Sequence, residues 1–257
     1  IAFGVLVGVW VAQRRWATRG GNPADISYLA TWSVIAGLIG ARAYHVLTDY
    51  DRFQGRWLHA FAVWEGGLGI PGGLLAGVVT GVVLARRRGL PAAQLLDVVA
   101  PAIPIAQAIG RLGNWFNQEL FGRPTDLPWG LEIDAEHRPV GYEDQATFHP
   151  TFLYESLWNF GLVLVLIWID RKRVLRPGRI FALYIGGYFT GRLWVESLRI
   201  DEANKILGLR VNTWMSLVAM GGVALYLLIG GVRRRPGDSD EPYVDGHRWD
   251  PVAGVVP

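Results

Sequence analysis

The chain contains no cysteine. Disulfides, zinc–thiolate sites and a cysteine nucleophile of its own are therefore excluded. Charge is scarce as well: Asp, Glu, Lys and Arg make up 18% of the 257 residues, where a soluble domain carries about 25%. Lysine is almost missing. Of 25 basic residues only Lys172 and Lys205 are lysine, so nearly every cation is a guanidinium. The formal net charge of +3 gives no argument for nucleic acid as a partner. There is no phosphate-cradling P-loop, no His-Glu-x-x-His and no Gly-x-Ser-x-Gly. No internal repeat is visible.

What fills the chain instead is apolar. Hydrophobic residues reach 51%, mean hydropathy is +0.23, and there are 12 Trp, a residue that favours the membrane–water boundary. The class this implies is an all-α polytopic membrane protein. Apolar runs fall at about 26–47, 64–85, 91–109, 151–169, 180–198 and 211–232. A shorter run ends at Ala12, before Gln13-Arg14-Arg15. It is below the roughly 20 residues a spanning helix needs. It reads as the tail of a first transmembrane helix whose start precedes this sequence, which makes seven spans. Gly66, Gly67, Gly69, Gly72, Gly73, Gly77 and Gly81 fill the third run, and small residues let membrane helices approach closely. Pro101 and Pro104 should kink the fourth helix and free backbone carbonyls near its middle.

Basic residues in the short loops give orientation. They cluster after the first run (Arg14, Arg15, Arg19), the third (Arg86, Arg87, Arg88), the fifth (Arg171, Lys172, Arg173, Arg176, Arg179) and the seventh (Arg233, Arg234, Arg235). The loops between carry fewer. The alternation predicts a multi-pass protein with its N-terminus outside and its C-terminus in the cytoplasm. The connection at about 110–150 then lies outside. Its Trp, Phe, Pro and Gly content suggests a small folded extracytoplasmic head within a transmembrane unit of residues 1–232. Residues 233–257 are polar and rich in Pro and Gly, and are expected to form a disordered cytoplasmic tail.

Ionisable groups at membrane depth mark functional sites by default. The segment from Gly110 to Arg123 holds Arg111, Asn114, Asn117, Glu119 and Arg123 directly after an apolar run. A second cluster is Arg192, Glu196 and Arg199. Arg192 and Glu196 are four apart and share a helix face. An isolated buried pair is unfavourable unless something else stabilises it, and a bound phosphate would. Arginine suits phosphate because its planar fork of donors matches the oxygens. Arg42, near the outer end of the second run, is a third intramembrane cation, and either snorkels to the interface or meets ligand. His149 precedes Pro150 and is either part of an ordinary helix-opening turn or a proton acceptor. Glu155 sits one turn into that helix and could pair with one of the arginines. Asn114 is either a helix stop or a ligand contact. Glu119 is an ion-pair partner, a general base, or the group that holds an arginine in place.

The segment from Gly110 to Gly130, GRLGNWFNQELFGRPTDLPWG, resembles the signature of bacterial prolipoprotein diacylglyceryl transferases. Gly40-Ala41-Arg42-Ala43-Tyr44-His45, Trp64-Glu65-Gly66-Gly67-Leu68, His149 through Glu155, and Arg192 through Arg199 occur in the order of that family. The resemblance covers nearly all of the chain except the tail. It implies seven spans with a small outer head, in the bacterial cytoplasmic (inner) membrane. It implies transfer of the diacylglyceryl group of phosphatidylglycerol to the lipobox cysteine thiol of a preprolipoprotein, with release of glycerol-1-phosphate. Phosphatidylglycerol, the lipobox peptide and membrane lipids are the implied partners. Neither metal nor cofactor is implied. Arg111, Asn114, Glu119, Arg192 and Glu196 fall at functional positions. Two places depart from the pattern. Pro71 stands where many members have a histidine before paired glycines, and the part of the first span where some carry an important tyrosine precedes this sequence. The expected catalytic residues are Arg111, Glu119, Arg192 and His149; the expected substrate-binding residues are Arg111, Asn114, Arg192, Glu196, Arg42 and Arg199. A transporter or flippase for an anionic lipid or metabolite would use the same buried arginines without chemistry. A lipid-binding structural protein is a third reading.

Overall fold

The computed structural model describes residues 1–62, 67–201, 205–239, 241–244, 248–250 and 254–256. Trp64, Glu65 and Gly66, which open the third apolar run, lie outside the described residues. The chain is mostly helical: α1 (Ala2–Ala17), α2 (Pro23–Thr48), α3 (Ile70–Arg87), α4 (Ala92–Val99), α5 (Ala102–Arg111), α6 (Gly113–Asn117), α7 (Thr151–Arg171), α8 (Arg179–Leu198) and α9 (Val211–Gly230). Among the described residues four stretches are long and apolar enough to cross a membrane: α2, the continuous run Ala92–Asn117, α7 and α9.

Polarity is inverted relative to a water-soluble protein. Large apolar side chains stand exposed, among them Leu38 and Ile39 on α2, Leu74 and Leu75 on α3, Leu164 on α7, and Val218, Leu228 and Ile229 on α9. Charged and polar ones are buried, among them Arg42, Asp97, Glu155, Asn159, Arg179 and Glu196. Such faces fit a lipid surround, and the buried ions require partners close at hand.

The chain divides into two units, residues 1–12 with 96–239, and residues 13–95 with 240–257. In the first, Pro101 ends the α4 hydrogen-bond ladder and α5 begins at Ala102, the break expected of proline. Asp97 acts at a distance in sequence. Its carboxylate accepts from Gly178 N at 2.7 Å and from Phe181 N at 3.0 Å, so it satisfies amides at the start of α8, where an anion also suits the helix dipole. The segment after α6 contains a two-stranded ladder, β1 (Leu131–Glu132) with β2 (Thr147–Phe148), over a small core of Phe121, Ile133 and Phe148. A second hairpin, β3 (Lys205–Ile206) with β4 (Leu209–Arg210), turns through Leu207 and Gly208, both at positive φ.

In the second unit α2 and α3 pack along a glycine seam. Side chains at Gly40 and Gly72 would collide with the facing backbone, which is why these positions stay bare. Asp25, buried, takes Arg88 Nη1 at 2.5 Å and the Tyr243 hydroxyl at 2.8 Å. Tyr243 also meets Trp16 edge-on. The tail expected to be disordered from Arg233 thus contains a buried tyrosine with two polar partners, Asp25 and Asn22. Burial pushes the Tyr243 hydroxyl up to about 12, an effect that the Asn22 amide opposes and Asp25 reinforces. The remaining strands, β5 (Arg248–Asp250) and β6 (Gly254–Val256), pair with each other.

Candidate functional site

Three helices of the first unit bring their charges to one place. Arg111 is the last residue of α5, Glu155 lies one turn into α7, and Arg192 and Glu196 lie one turn apart near the end of α8. Contacts of the segment after α6 set the register between them. Gly122 pairs with Arg199 in an isolated bridge, Gly122 N donates to His149 O at 2.8 Å, and Arg123 N donates to Leu198 O at 2.9 Å. Thr151 Oγ1 donates to Leu120 O at 2.7 Å. The strand after α6 is thereby stitched to the start of α7 and the end of α8. At Gly122 a Cβ would meet the Thr151 side chain and the Leu198 carbonyl, so this crossing needs glycine.

Glu155 is the hinge of the charge network. Its Oε1 lies 2.8 Å from Arg111 Nη2, and its Oε2 lies 3.4 Å from Arg192 Nη1. One buried carboxylate thus holds two guanidinium groups from different helices. Oε1 has no aligned hydrogen bond despite the short ion pair. Tyr188 of α8 stands close to Arg111, Glu155 and Arg192. The network continues through Arg192 Nη2 to Glu196 Oε2 at 2.8 Å, then through Glu196 Oε1 to Arg210 Nε at 2.5 Å. Asn212 Nδ2 lies 3.3 Å from both Glu196 oxygens. Arg210 reaches Asp201 at 3.1 Å, and Asp201 takes Arg199 Nε at 2.6 Å. Burial alone would raise Asp201. The Arg199 hydrogen bond and the charges of Arg199 and Arg210 outweigh it and hold the carboxyl below the usual range. Its stabilising charge is therefore present above the ordinary carboxylate pKa and lost only as pH falls through the lowered value.

Arg111 and Arg192 are brought together on Glu155, and Arg192 in turn pairs with Glu196. The other expected residues fall differently. Asn114 does not stop the helix; α6 runs to Asn117, and Gln118 in the left-handed region ends it. Asn114 Nδ2 and Asn117 Nδ2 both donate to Glu119 Oε1, at 2.8 and 2.9 Å. Glu119 is exposed and holds no arginine among the described residues; Glu155 fills that role, because it is buried on the neighbouring helix. Arg199 lies just past the end of α8 in extended conformation, and its guanidinium turns to Asp201. His149 Nδ1 lies 3.1 Å from the Tyr154 hydroxyl, which also accepts from Trp129 Nε1 at 2.9 Å, and Tyr154 stacks on Trp194. Arg42 belongs to the second unit. Its Nε donates to Ala60 O at 2.8 Å, its Nη1 to Gly67 O at 3.1 Å and its Nη2 to His59 O, with the guanidinium over the Phe53 ring. That geometry is a clamp on the segment after α2.

Glu155, Arg210, Asn212 and Tyr188 join the site, and of these only Glu155 stands out in the sequence. A carboxylate one turn into an apolar helix is a usable signal. Arg210 and Asn212 give none, because both lie in a loop-to-helix junction where polar residues are ordinary.

A sequence model described as prolipoprotein diacylglyceryl transferase matches residues 1–229. The chain is 51% identical over 242 residues to phosphatidylglycerol–prolipoprotein diacylglyceryl transferase 1 of Streptomyces coelicolor, covering 92% of this chain and 69% of that protein. It is 48% identical over 244 residues to the phosphatidylglycerol–prolipoprotein diacylglyceryl transferase of Cutibacterium acnes, covering 94% and 82%. The like-named protein of Corynebacterium glutamicum is 42% identical over 267 residues, covering 98% and 84%.

Proposed function

The chain belongs to the prolipoprotein diacylglyceryl transferase family, and on that premise we propose that it transfers the diacylglyceryl group of phosphatidylglycerol to the thiol of a lipobox cysteine in a preprolipoprotein, releasing glycerol-1-phosphate. The observation that carries this reading is the pair of guanidinium groups, Arg111 and Arg192, held on the two oxygens of one buried carboxylate. The reaction is a displacement at a saturated carbon. The substrate thiolate forms a C–S bond to the glycerol carbon, and the C–O bond to the phosphate breaks with its electron pair staying on oxygen. Charge therefore grows on the phosphate as it departs, and fixed guanidinium groups in a dry site stabilise it most effectively. Asn114, three residues after Arg111 and carrying a side-chain amide, contacts the glycerol or phosphate.

The thiol must lose its proton before it attacks. Glu119 is the first candidate to accept that proton, because it is exposed and its carboxylate is oriented by the amides of Asn114 and Asn117. His149 is the second candidate, with Nδ1 turned to Tyr154. Glu196 positions Arg192. Arg42 donates to backbone carbonyls of its own unit, which favours a structural role over ligand contact. Seven spans, an outer N-terminus, a cytoplasmic C-terminus and an extracytoplasmic head at about 110–150 complete the proposal, supported by the alternation of basic loops.

The test is direct. Membranes holding the full chain are incubated with phosphatidylglycerol and a lipobox peptide. A diacylglyceryl mass gain on the peptide and free glycerol phosphate are expected, whereas a transporter gives neither. Arg111→Lys keeps charge but loses the fork, and should lower turnover by about 100-fold. Normal turnover in that variant rules out the two-arginine clamp.

A further inference from the structure

The β3–β4 hairpin reaches the charge network from outside the three helices that build it. Its two-residue turn, with Leu207 at φ 50° and Gly208 at φ 81°, fixes the register Lys205↔Arg210 and Ile206↔Leu209. Arg210 closes the hairpin and stands at the N-cap of α9. The register therefore decides where its guanidinium goes: Nε to Glu196 Oε1 at 2.5 Å, Nη2 to Asp201 Oδ2 at 3.1 Å, and Nη1 to Arg199 O at 3.4 Å. Asn212, two residues on, adds an amide against both Glu196 oxygens.

Glu196 is 2% exposed, so these neighbours set its position rather than water. Its Oε2 takes Arg192. A carboxylate shared with Arg210 cannot neutralise Arg192 alone. Along the contacts Arg111–Glu155–Arg192–Glu196–Arg210–Asp201–Arg199, four guanidinium groups face three carboxylates, which leaves one positive charge uncancelled. Without Arg210 the count is even, and Glu196 is free to turn wholly to Arg192.

We propose that Arg210 is a positioning residue for phospholipid binding: acting through Glu196, it fixes the Arg192 guanidinium and keeps a net positive charge available to an anionic phosphate headgroup. The inference rests on the proposed contact between Arg192 and the phosphate. It extends that contact to Arg210 on the β3–β4 hairpin, acting through Glu196.

The test uses the full chain in zwitterionic detergent, titrated with phosphatidylglycerol or, as control, phosphatidylcholine, with binding read by tryptophan fluorescence. Initial rates on a lipobox peptide are read in parallel. R210Q should weaken phosphatidylglycerol binding and raise its KM by about tenfold, the scale of one charge-assisted contact, and leave the KM for peptide unmoved. R210K, which keeps the charge without the fork, should lose only about threefold. In an E196Q background R210Q should add less than about twofold, because the two residues act as one unit. Equal losses in both backgrounds, equal losses for both lipids, or a fall in kcat with unchanged phosphatidylglycerol affinity would overturn the proposal. If R210Q fails to fold, R210K decides, and wild-type affinity there overturns it. A wild-type chain that binds phosphatidylglycerol selectively but never modifies the peptide refutes the transferase reading instead, and the binding arm still judges Arg210. A wild type that does not distinguish the two lipids removes both.

Discussion

Glu155 decides whether Arg111 and Arg192 can share one small volume. Two cations side by side in a low dielectric repel strongly, and a single carboxylate between them converts the repulsion into a bridge. Removing one member of such a buried set leaves an uncompensated charge, at a cost of about 3–5 kcal/mol. Glu155→Gln keeps the shape and removes the charge. It should lower the melting temperature in detergent markedly, and phosphatidylglycerol should restore part of the loss while phosphatidylcholine does not. Melting that is unchanged, or rescued equally by both lipids, would contradict the bridge. The residues that can be read directly from the chain at this scale are those whose meaning is local. Arg192 and Glu196 are four apart on one helix, so their pairing follows from helical geometry. Glu155 and Arg192 are 37 positions apart, and Glu196 and Arg210 are joined across 14 by a hairpin, so no local rule links them. Glu119 misleads for the same reason. It stands between Arg111 and Arg123 in sequence, yet the turn at Gln118 points it to the two asparagines.

The elements are legible wherever length and apolarity agree. α2, the run through α5, α7 and α9 sit where the apolar runs lie, and the break at Pro101 is where proline removes a ladder bond. The short strands are not legible, since two-residue ladders leave no periodic pattern. Helix contacts follow from side-chain size. Along the α2–α3 seam Gly40 faces the Gly72 backbone and Ala76, while Gly221 on α9 has nothing within 4 Å of where its side chain would begin. Gly40→Leu should therefore force the pair apart and cost about 1–3 kcal/mol or more, with Gly221→Leu nearly neutral. Thermal unfolding in detergent followed by tryptophan fluorescence separates them. Equal melting of the two variants would contradict close packing at the seam.

At the scale of the whole molecule, exposed apolar faces and buried charge are one fact seen from two sides. Val218, Leu228 and Ile229 stand exposed on a helix apolar enough to cross a membrane, while Glu155 and Glu196 are buried against arginine partners, where charge interactions are stronger than in water. Composition makes the membrane class legible. The contacts of Tyr243 are not legible, because its partners Asp25 and Asn22 lie more than 200 positions away. The central claim is that Arg111 and Arg192 stabilise charge on a phosphate oxygen as it leaves a glycerol carbon. Phosphatidylglycerol carrying an oxygen-18 label in the bridge between the diacylglyceryl carbon and phosphorus tests it most directly, with the full chain and a lipobox peptide. The account predicts that all of the label leaves in glycerol-1-phosphate and none stays on the peptide, with the rate collapsing in Arg111→Lys. Label recovered in free diacylglycerol, with no thioether-linked diacylglyceryl group on the peptide, would place the cleavage at phosphorus and contradict it.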